Sequence, residues 1–297
     1  MRAFLFPGQG SQTPGMGRDL YESRPDVRCY FDEAAARVPG LLQIMFEGPA
    51  ESLARTQYAQ PALLAVEAAL THILKQLGHE PAVCAGHSLG EFSALVAAEA
   101  LTFPEALRLV EARGRLMAEL VAPGGMAAVI GLSQEVIEKV LPSGAFIANL
   151  NGPDQTIISG GQDALKEAAA VLTQAGAKRV MPLQVSGPFH SPLMKQARDA
   201  FAELISTAVI SDPKYPFVSS VNGKQMTKAE DIRQLLSDQI CAPVQWTCVM
   251  STIGTVPSVE VGPGRVLQGL CKRMKGGPDP VVSVGTLEAC VTLEKLE

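Results

Sequence analysis

Between residues 125 and 185 the apolar residues change their rhythm in a way that few folds accommodate. Residues 126–132, 145–150, 155–160 and 179–185 read as short strands, and residues 134–141 and 164–176 read as helices. The resulting order, β-α-β-β-α-β over about 65 residues, is the split pattern of a ferredoxin-like unit. A small domain inserted at 124–188 is therefore expected, with 1–123 and 189–297 joining into one larger α/β domain. A chain of 297 residues is long enough for two unequal units of this kind.

The flanking halves fit that division. Residues 3–6 form an apolar run stopped by Pro7-Gly8, which reads as a buried strand entering a glycine-rich loop that extends to Gly17. Gln60-Pro61 opens a helical pattern through Leu74, with Gly78 after its last turn. A second apolar run at 82–85 leads directly into Gly86-His87-Ser88-Leu89-Gly90 and a helix-prone stretch at 91–100. Thr102 and Pro104 mark the start of a helix over 105–120. Later strands are expected near 217–221 and 256–261, and a last long helix over 264–275.

Composition excludes several classes. The chain is 47% hydrophobic with a net charge of -5, so it suits a globular interior and offers no clustered positive surface for nucleic acid. No apolar run approaches the roughly 18 residues of a membrane helix, and the amino terminus lacks the features of a secretory signal. A cytoplasmic location is expected. Cysteines 29, 84, 241, 248, 271 and 290 show no paired spacing, so neither a disulfide framework nor a zinc site is expected.

Gly86-x-Ser88-x-Gly90 fits a nucleophile elbow, in which a serine occupies a tight strand-to-helix turn and the flanking glycines relieve crowding. A serine nucleophile needs a base, and there are four histidines: His72, His79, His87 and His190. His72 and His79 belong to the 62–74 helix and its end, where packing or capping is their expected role. His87 adjoins the serine, which turns its ring away from the hydroxyl and toward the pocket wall. His190 stands in a rigid Gly187-Pro188-Phe189-His190-Ser191-Pro192 loop at the domain junction and is the expected general base, although no acidic partner for it is evident. The Leu89 amide, following the serine, is one expected oxyanion donor, and the Pro7-Gly8-Gln9-Gly10 turn is placed to supply another. Neither that turn nor Gly262-Pro263-Gly264 has the spacing of a nucleotide-binding loop.

In the 105–120 helix, Arg113 falls within the apolar stripe formed by Ala106, Leu109, Val110, Leu116, Met117 and Leu120. A guanidinium facing a core requires a carboxylate from the protein or from a substrate. A structural ion pair and a substrate clamp are equally compatible with the pattern. If Arg113 faces the serine, the substrate carries a free carboxylate held bidentately.

Taken together, Phe6-Pro7-Gly8-Gln9-Gly10-Ser11-Gln12, Gln60-Pro61-Ala62, Gly86-His87-Ser88-Leu89-Gly90-Glu91, Arg113-Gly114, Gly187-Pro188-Phe189-His190-Ser191, Pro243-Val244-Gln245-Trp246 and Glu260-Val261-Gly262-Pro263-Gly264 resemble the malonyl-CoA:acyl carrier protein transacylases. The matches run in order from residue 6 to about residue 275. The resemblance implies a hydrolase-like α/β parallel-sheet domain with an inserted ferredoxin-like domain. It implies Ser88 as nucleophile, His190 as base oriented by the Gln239 carbonyl, and the Gln9 and Leu89 amides as oxyanion hole. It further implies Arg113 as the malonyl clamp, and Gln60, His87, Met117 and Phe189 as lining of the acyl pocket. Phe189 is similar to the residue found before the histidine in malonyl-selective members, where methylmalonyl users often carry serine.

The reaction so implied is a ping-pong exchange. Malonyl passes from coenzyme A to Ser88 and then to the phosphopantetheine thiol of an acyl carrier protein, in fatty acid or polyketide synthesis. No metal and no bound organic cofactor are expected, and the family implies a monomer. The carrier is usually acidic, which makes Lys272, Arg273 and Lys275 candidate contacts, but cations there also suit the dipole of the last helix. Two rival functions are an acyl-thioester hydrolase on the same scaffold and a catalytically silent docking module; Arg113 argues against the first, and the intact Ser88, His190 and Arg113 against the second.

Overall fold

The computed structural model describes residues 1–274, 276–278 and 280–294. Among the described residues ten strands fall into two sheets: β1 (Arg2–Phe6), β2 (Pro81–Gly86), β3 (Gly125–Ile130), β4 (Ala145–Gly152), β5 (Gln155–Gly160), β6 (Arg179–Pro182), β7 (Phe217–Val218), β8 (Gln225–Met226), β9 (Ser258–Val261) and β10 (Val281–Val284). The first sheet runs β10-β9-β1-β2-β7-β8, parallel except for the β7–β8 hairpin. Its central strands are covered on both faces, as parallel strands require, and Ala3 to Phe6 and all of β9 are buried. The second sheet runs β4-β5-β3-β6 with every pairing antiparallel. The helices Gln134–Val140 and Gln162–Gln174 lie between its strands in chain order and pack on it.

The register of the parallel sheet sets the position of the site. Phe6 pairs with Gly86, so β1 and β2 end side by side and the loops that follow them leave from one edge. In open parallel sheets that carboxyl edge is where ligands bind. The two loops approach each other very closely. A Cβ at Gly90 would stand 2.2 Å from the Phe6 carbonyl oxygen, and one at Gly86 would stand 1.9 Å from the Gly90 carbonyl carbon. Both glycines are therefore required by backbone packing, and Ser88 between them adopts φ 53°.

Two helices behind the elbow supply the next layer. The helix Thr56–Gln76 is buried over most of its length, and Gly114 of the helix Phe103–Glu119 meets it backbone to backbone, with Thr56 O 3.0 Å from a Cβ built at Gly114. Thr102 caps the latter helix, accepting from the Glu105 amide at 3.4 Å.

Two expected boundaries are corrected. The first of these helices begins at Thr56 and runs through Pro61, which was expected to open it. A proline there removes one backbone donor, and burial of Ala59, Gln60 and Ala62 against the core outweighs that loss. The last long helix expected over 264–275 is only Val266–Cys271. Gly264 at φ 83° and Arg265 at φ -148° are non-helical, and the buried Glu260 carboxylate fixes the start by accepting from the Leu267 and Gln268 amides at 2.8 and 2.9 Å. Lys272 and Arg273 follow the helix, while Lys275 lies outside the described residues. No helix among the described residues is long and apolar enough to cross a membrane.

Gly90→Ala is expected to lower stability by about 3 kcal/mol or more, because the contacting atoms are backbone and cannot turn aside. Urea unfolding of the variant with a midpoint equal to that of the parent would contradict this packing.

Candidate active site

Ser88 and His190 lie 102 residues apart in sequence, and the fold brings Ser88 Oγ to 2.8 Å from His190 Nε2. His190 is held by its own backbone strain and by a strap. It adopts φ 56°, its amide donates to Ile240 O at 3.0 Å, and Ser191 Oγ donates to Pro188 O at 2.6 Å instead of capping the turn that follows. The ring Nδ1 faces two carbonyls, Gln239 O at 3.1 Å and Ala242 O at 3.0 Å. Carbonyls only accept, so Nδ1 carries the proton and Nε2 presents a lone pair to the serine hydroxyl. This explains why no acidic partner is evident in the sequence. The Ala242 carbonyl was not anticipated, since a backbone acceptor leaves no side-chain signature.

The strap is tied in turn to the second sheet. Val244 N donates to Ala148 O at 2.8 Å and Leu150 N donates to Val244 O at 2.9 Å, which anchors the segment holding His190 to β4. The same strand carries Asn149 and Asn151 into the site, and Asn151 Oδ1 accepts from His87 Nε2 at 2.8 Å. His87 thus faces away from the serine hydroxyl, as its position in the elbow implied.

Arg113 is only 1% exposed. Its Nη1 donates to Gln60 Oε1 at 2.8 Å, its Nη2 reaches Ser88 Oγ at 3.3 Å, and its Cζ lies 6.0 Å from the centre of the Phe92 ring. No ion pair joins it to a carboxylate among the described residues, and its Nε has no partner there. Burial pulls its pKa down to about 10, with the more distant Glu91 opposing that shift, so the guanidinium remains charged at neutral pH. A relay of side chains holds Gln60 in place: Gln60 Nε2 donates to Thr56 Oγ1 at 2.7 Å, Thr56 Oγ1 donates to Gln9 Oε1 at 2.9 Å, and Gln9 Nε2 donates to Ala54 O at 3.2 Å.

These groups surround a cavity of about 270 Å³ between the two sheets. Gln9, His87, Ser88, Leu89, Arg113, Met117, Phe189 and His190 all line it. Gln60 does not: it lies behind the wall, against Arg113 and Met117 Sδ. The sequence reading missed the opposite wall, formed by Asn149, Asn151, Gln155 and Ile157 with Leu183, Val185 and Val266. These residues come from strands, loops and the start of the Val266–Cys271 helix, with no motif of their own. Among the described residues, the amides of Gln9 and Leu89 engage no other protein group. Arg273 Nη1 donates to Gln155 Oε1 at 2.9 Å, near the rim, and His72 lies elsewhere, bonded to Tyr30 and Gln76.

A family model described as "Acyl transferase domain" matches residues 3–267. The chain belongs to this acyl transferase family. A malonyl CoA-acyl carrier protein transacylase of Bacillus subtilis is 43% identical over 284 residues, covering 92% of this chain and 90% of that one. The crystal structure of an acyl-carrier-protein-S-malonyltransferase from Bartonella henselae superposes with a TM-score of 0.93 at 38% identity, over 99% of this chain and 98% of the other. A malonyl-transacylase in complex with its type II PKS acyl-carrier protein matches with a TM-score of 0.92 at 38% identity, over 99% of both chains.

Burial, aided by the Arg113 charge, lowers the His190 pKa from the ordinary 6.5 to about 3. A group depressed in this way stays neutral on acidification until the folded-state value is approached. Modification of Ser88 by a sulfonyl fluoride is therefore expected to hold its rate from about pH 8 to about pH 4. A fall centred on the ordinary imidazole value would contradict the buried, neutral imidazole.

Proposed function

We propose that the chain transfers malonyl from malonyl-CoA to the phosphopantetheine thiol of an acyl carrier protein through a malonyl-Ser88 ester. The observation that carries this reading is Arg113, a buried guanidinium with no carboxylate partner among the described residues, which reaches the serine hydroxyl at 3.3 Å. A cation fixed there at a desolvation cost favours an acyl group with its own carboxylate, and a three-carbon diacid thioester places that carboxylate two bonds beyond the reacting carbonyl. The names of the relatives and the carrier complex among the solved structures agree with this substrate pair.

The steps follow from the geometry. Ser88 Oγ attacks the thioester carbonyl while His190 Nε2 takes its proton. Negative charge develops on the carbonyl oxygen, and the Gln9 and Leu89 amides, both unengaged at the cavity wall, are its donors. Collapse expels the coenzyme A thiolate, which recovers the proton from His190, leaving malonyl-Ser88. The carrier thiol then attacks the ester in the reverse order. Nδ1–H remains bonded to the Gln239 and Ala242 carbonyls throughout and stabilises the imidazolium. Nucleophile, base, oxyanion donors and carboxylate clamp are all protein groups, so the reaction needs no metal and no bound organic cofactor.

The second sheet with its two helices is read as an inserted ferredoxin-like domain at 124–188, and residues 1–123 and 189–297 as the hydrolase-like α/β domain. The strand order β4-β5-β3-β6, fully antiparallel, supports the first assignment, and the parallel order around β1 and β2 supports the second. Met117 and Phe189, both buried on the cavity wall, limit the room beside the acyl group and favour malonyl over branched homologues.

The test is selectivity. Arg113→Ala is expected to cost on the order of 10²-fold in the rate of Ser88 acylation by malonyl-CoA and far less with acetyl-CoA. Equal losses for the two donors would assign Arg113 a purely structural role and remove the basis for the malonyl reading.

A further inference from the structure

The transfer mechanism leaves the buried acid Glu91 without a role. Glu91 is fully buried one turn after Ser88, in the helix Gly90–Ala97, and three donors converge on its carboxylate. Ser219 Oγ donates to Oε1 at 2.8 Å, the Ser220 amide donates to the same oxygen at 2.6 Å, and Gln239 Nε2 donates to Oε2. The Gln239 amide also donates to the backbone carbonyl of Ser88 at 3.0 Å. Gln239 is thus a three-way joint. Its side chain binds the elbow at Ser88 and Glu91, and its backbone carbonyl receives the His190 Nδ1 proton.

We propose that Glu91 is a positioning residue for acyl transfer: through the Gln239 side-chain amide it holds the carbonyl that aims His190 in fixed relation to the elbow that carries Ser88. This inference rests on the assignment of His190 as base. The chemistry of the joint makes the acid specific. Gln239 faces two acceptors, the Ser88 carbonyl and the Glu91 carboxylate, and only an amide nitrogen satisfies both. Its oxygen is left without a partner among the described residues, the arrangement expected when the two acceptors dictate which way the amide points.

Replacing Glu91 by glutamine keeps volume and shape but sets one amide nitrogen against another. Gln239 can answer only by turning over, which places its oxygen against the Ser88 carbonyl. Either response loosens the base relative to the nucleophile, while the hydrogen bonds of Arg113 and the cavity wall stay in place and Arg113 loses only the distant field of Glu91. Because the carboxylate also draws the Ser219–Ser220 turn toward the elbow, the same joint fixes three chain segments.

Single-turnover acylation of Ser88 by malonyl-CoA, followed by intact-protein mass, tests this. Glu91→Gln is expected to lower the maximal acylation rate about 10- to 100-fold and to leave the half-saturating malonyl-CoA concentration within about twofold. Gln239→Ala, which keeps the backbone carbonyl, should do the same, and the double variant should be no slower than the slower single one. An unchanged maximal rate in Glu91→Gln, a loss confined to half-saturation, or losses that multiply in the double variant would each overturn the inference. If Glu91→Gln does not fold, Ser219→Ala, which removes one donor from the carboxylate, should show the same split at a few-fold amplitude, and an unaltered rate there would overturn it. His190→Ala, measured alongside, separates the two levels: full activity would remove the base itself, whereas a slow His190→Ala beside an unaffected Glu91→Gln would remove only the joint.

Discussion

Burying the charge of Arg113 is the constraint on which the rest of the site depends. A guanidinium taken out of water costs several kcal/mol unless its surroundings compensate, and no protein carboxylate stands within ion-pair reach among the described residues. The compensation is spread over weaker partners: the Gln60 carbonyl oxygen, the face of Phe92, the serine hydroxyl and the distant field of Glu91. Each needs its own support. Gln60 is fixed through Thr56 and Gln9, and Gly114 permits the two helices to approach until Arg113 and Gln60 meet. Gln9 also lines the cavity, so the side-chain relay that steadies Arg113 runs through the loop proposed to supply an oxyanion donor.

The same charge shapes His190. Arg113 and burial together hold His190 neutral, and two backbone carbonyls fix which nitrogen carries its proton. A carboxylate partner, as in a three-membered triad, would raise the His190 pKa and draw Arg113 into an ion pair. Carbonyls orient the ring without it. The segment that supplies them is hydrogen-bonded to β4, so the polar wall opposite Arg113 and the orientation of the His190 ring share one strand.

How much of this was legible in the sequence depends on where each constraint is recorded. The elbow was readable because its glycines are fixed by local backbone contact, and a Cβ at Gly86 or Gly90 has no room. The order of the second sheet was readable because strand and helix periodicities alternate cleanly over 125–182. Arg113 showed itself as a charge in an apolar stripe, although spacing alone did not separate a clamp from an ion pair. Gln239 became visible only through the family resemblance, and Gln9 was distinguished within its turn only by it, since a role played by backbone atoms imposes no residue type. The Glu91–Gln239 contact joins positions 148 apart and carries no local pattern. The helix start at Thr56 was missed because tertiary burial outweighs the proline signal at Pro61, and the last helix was overestimated because its start is fixed by Glu260 from a neighbouring strand.

The most direct measurement is intact-protein mass after brief exposure to malonyl-CoA, first alone and then with a phosphopantetheinylated acyl carrier protein. A single malonyl adduct, absent in Ser88→Ala, that disappears from the enzyme as it appears on the carrier is the expected result. An adduct that persists in Ser88→Ala would contradict the nucleophile, and one lost to water at the same rate with and without the carrier would make the chain a hydrolase.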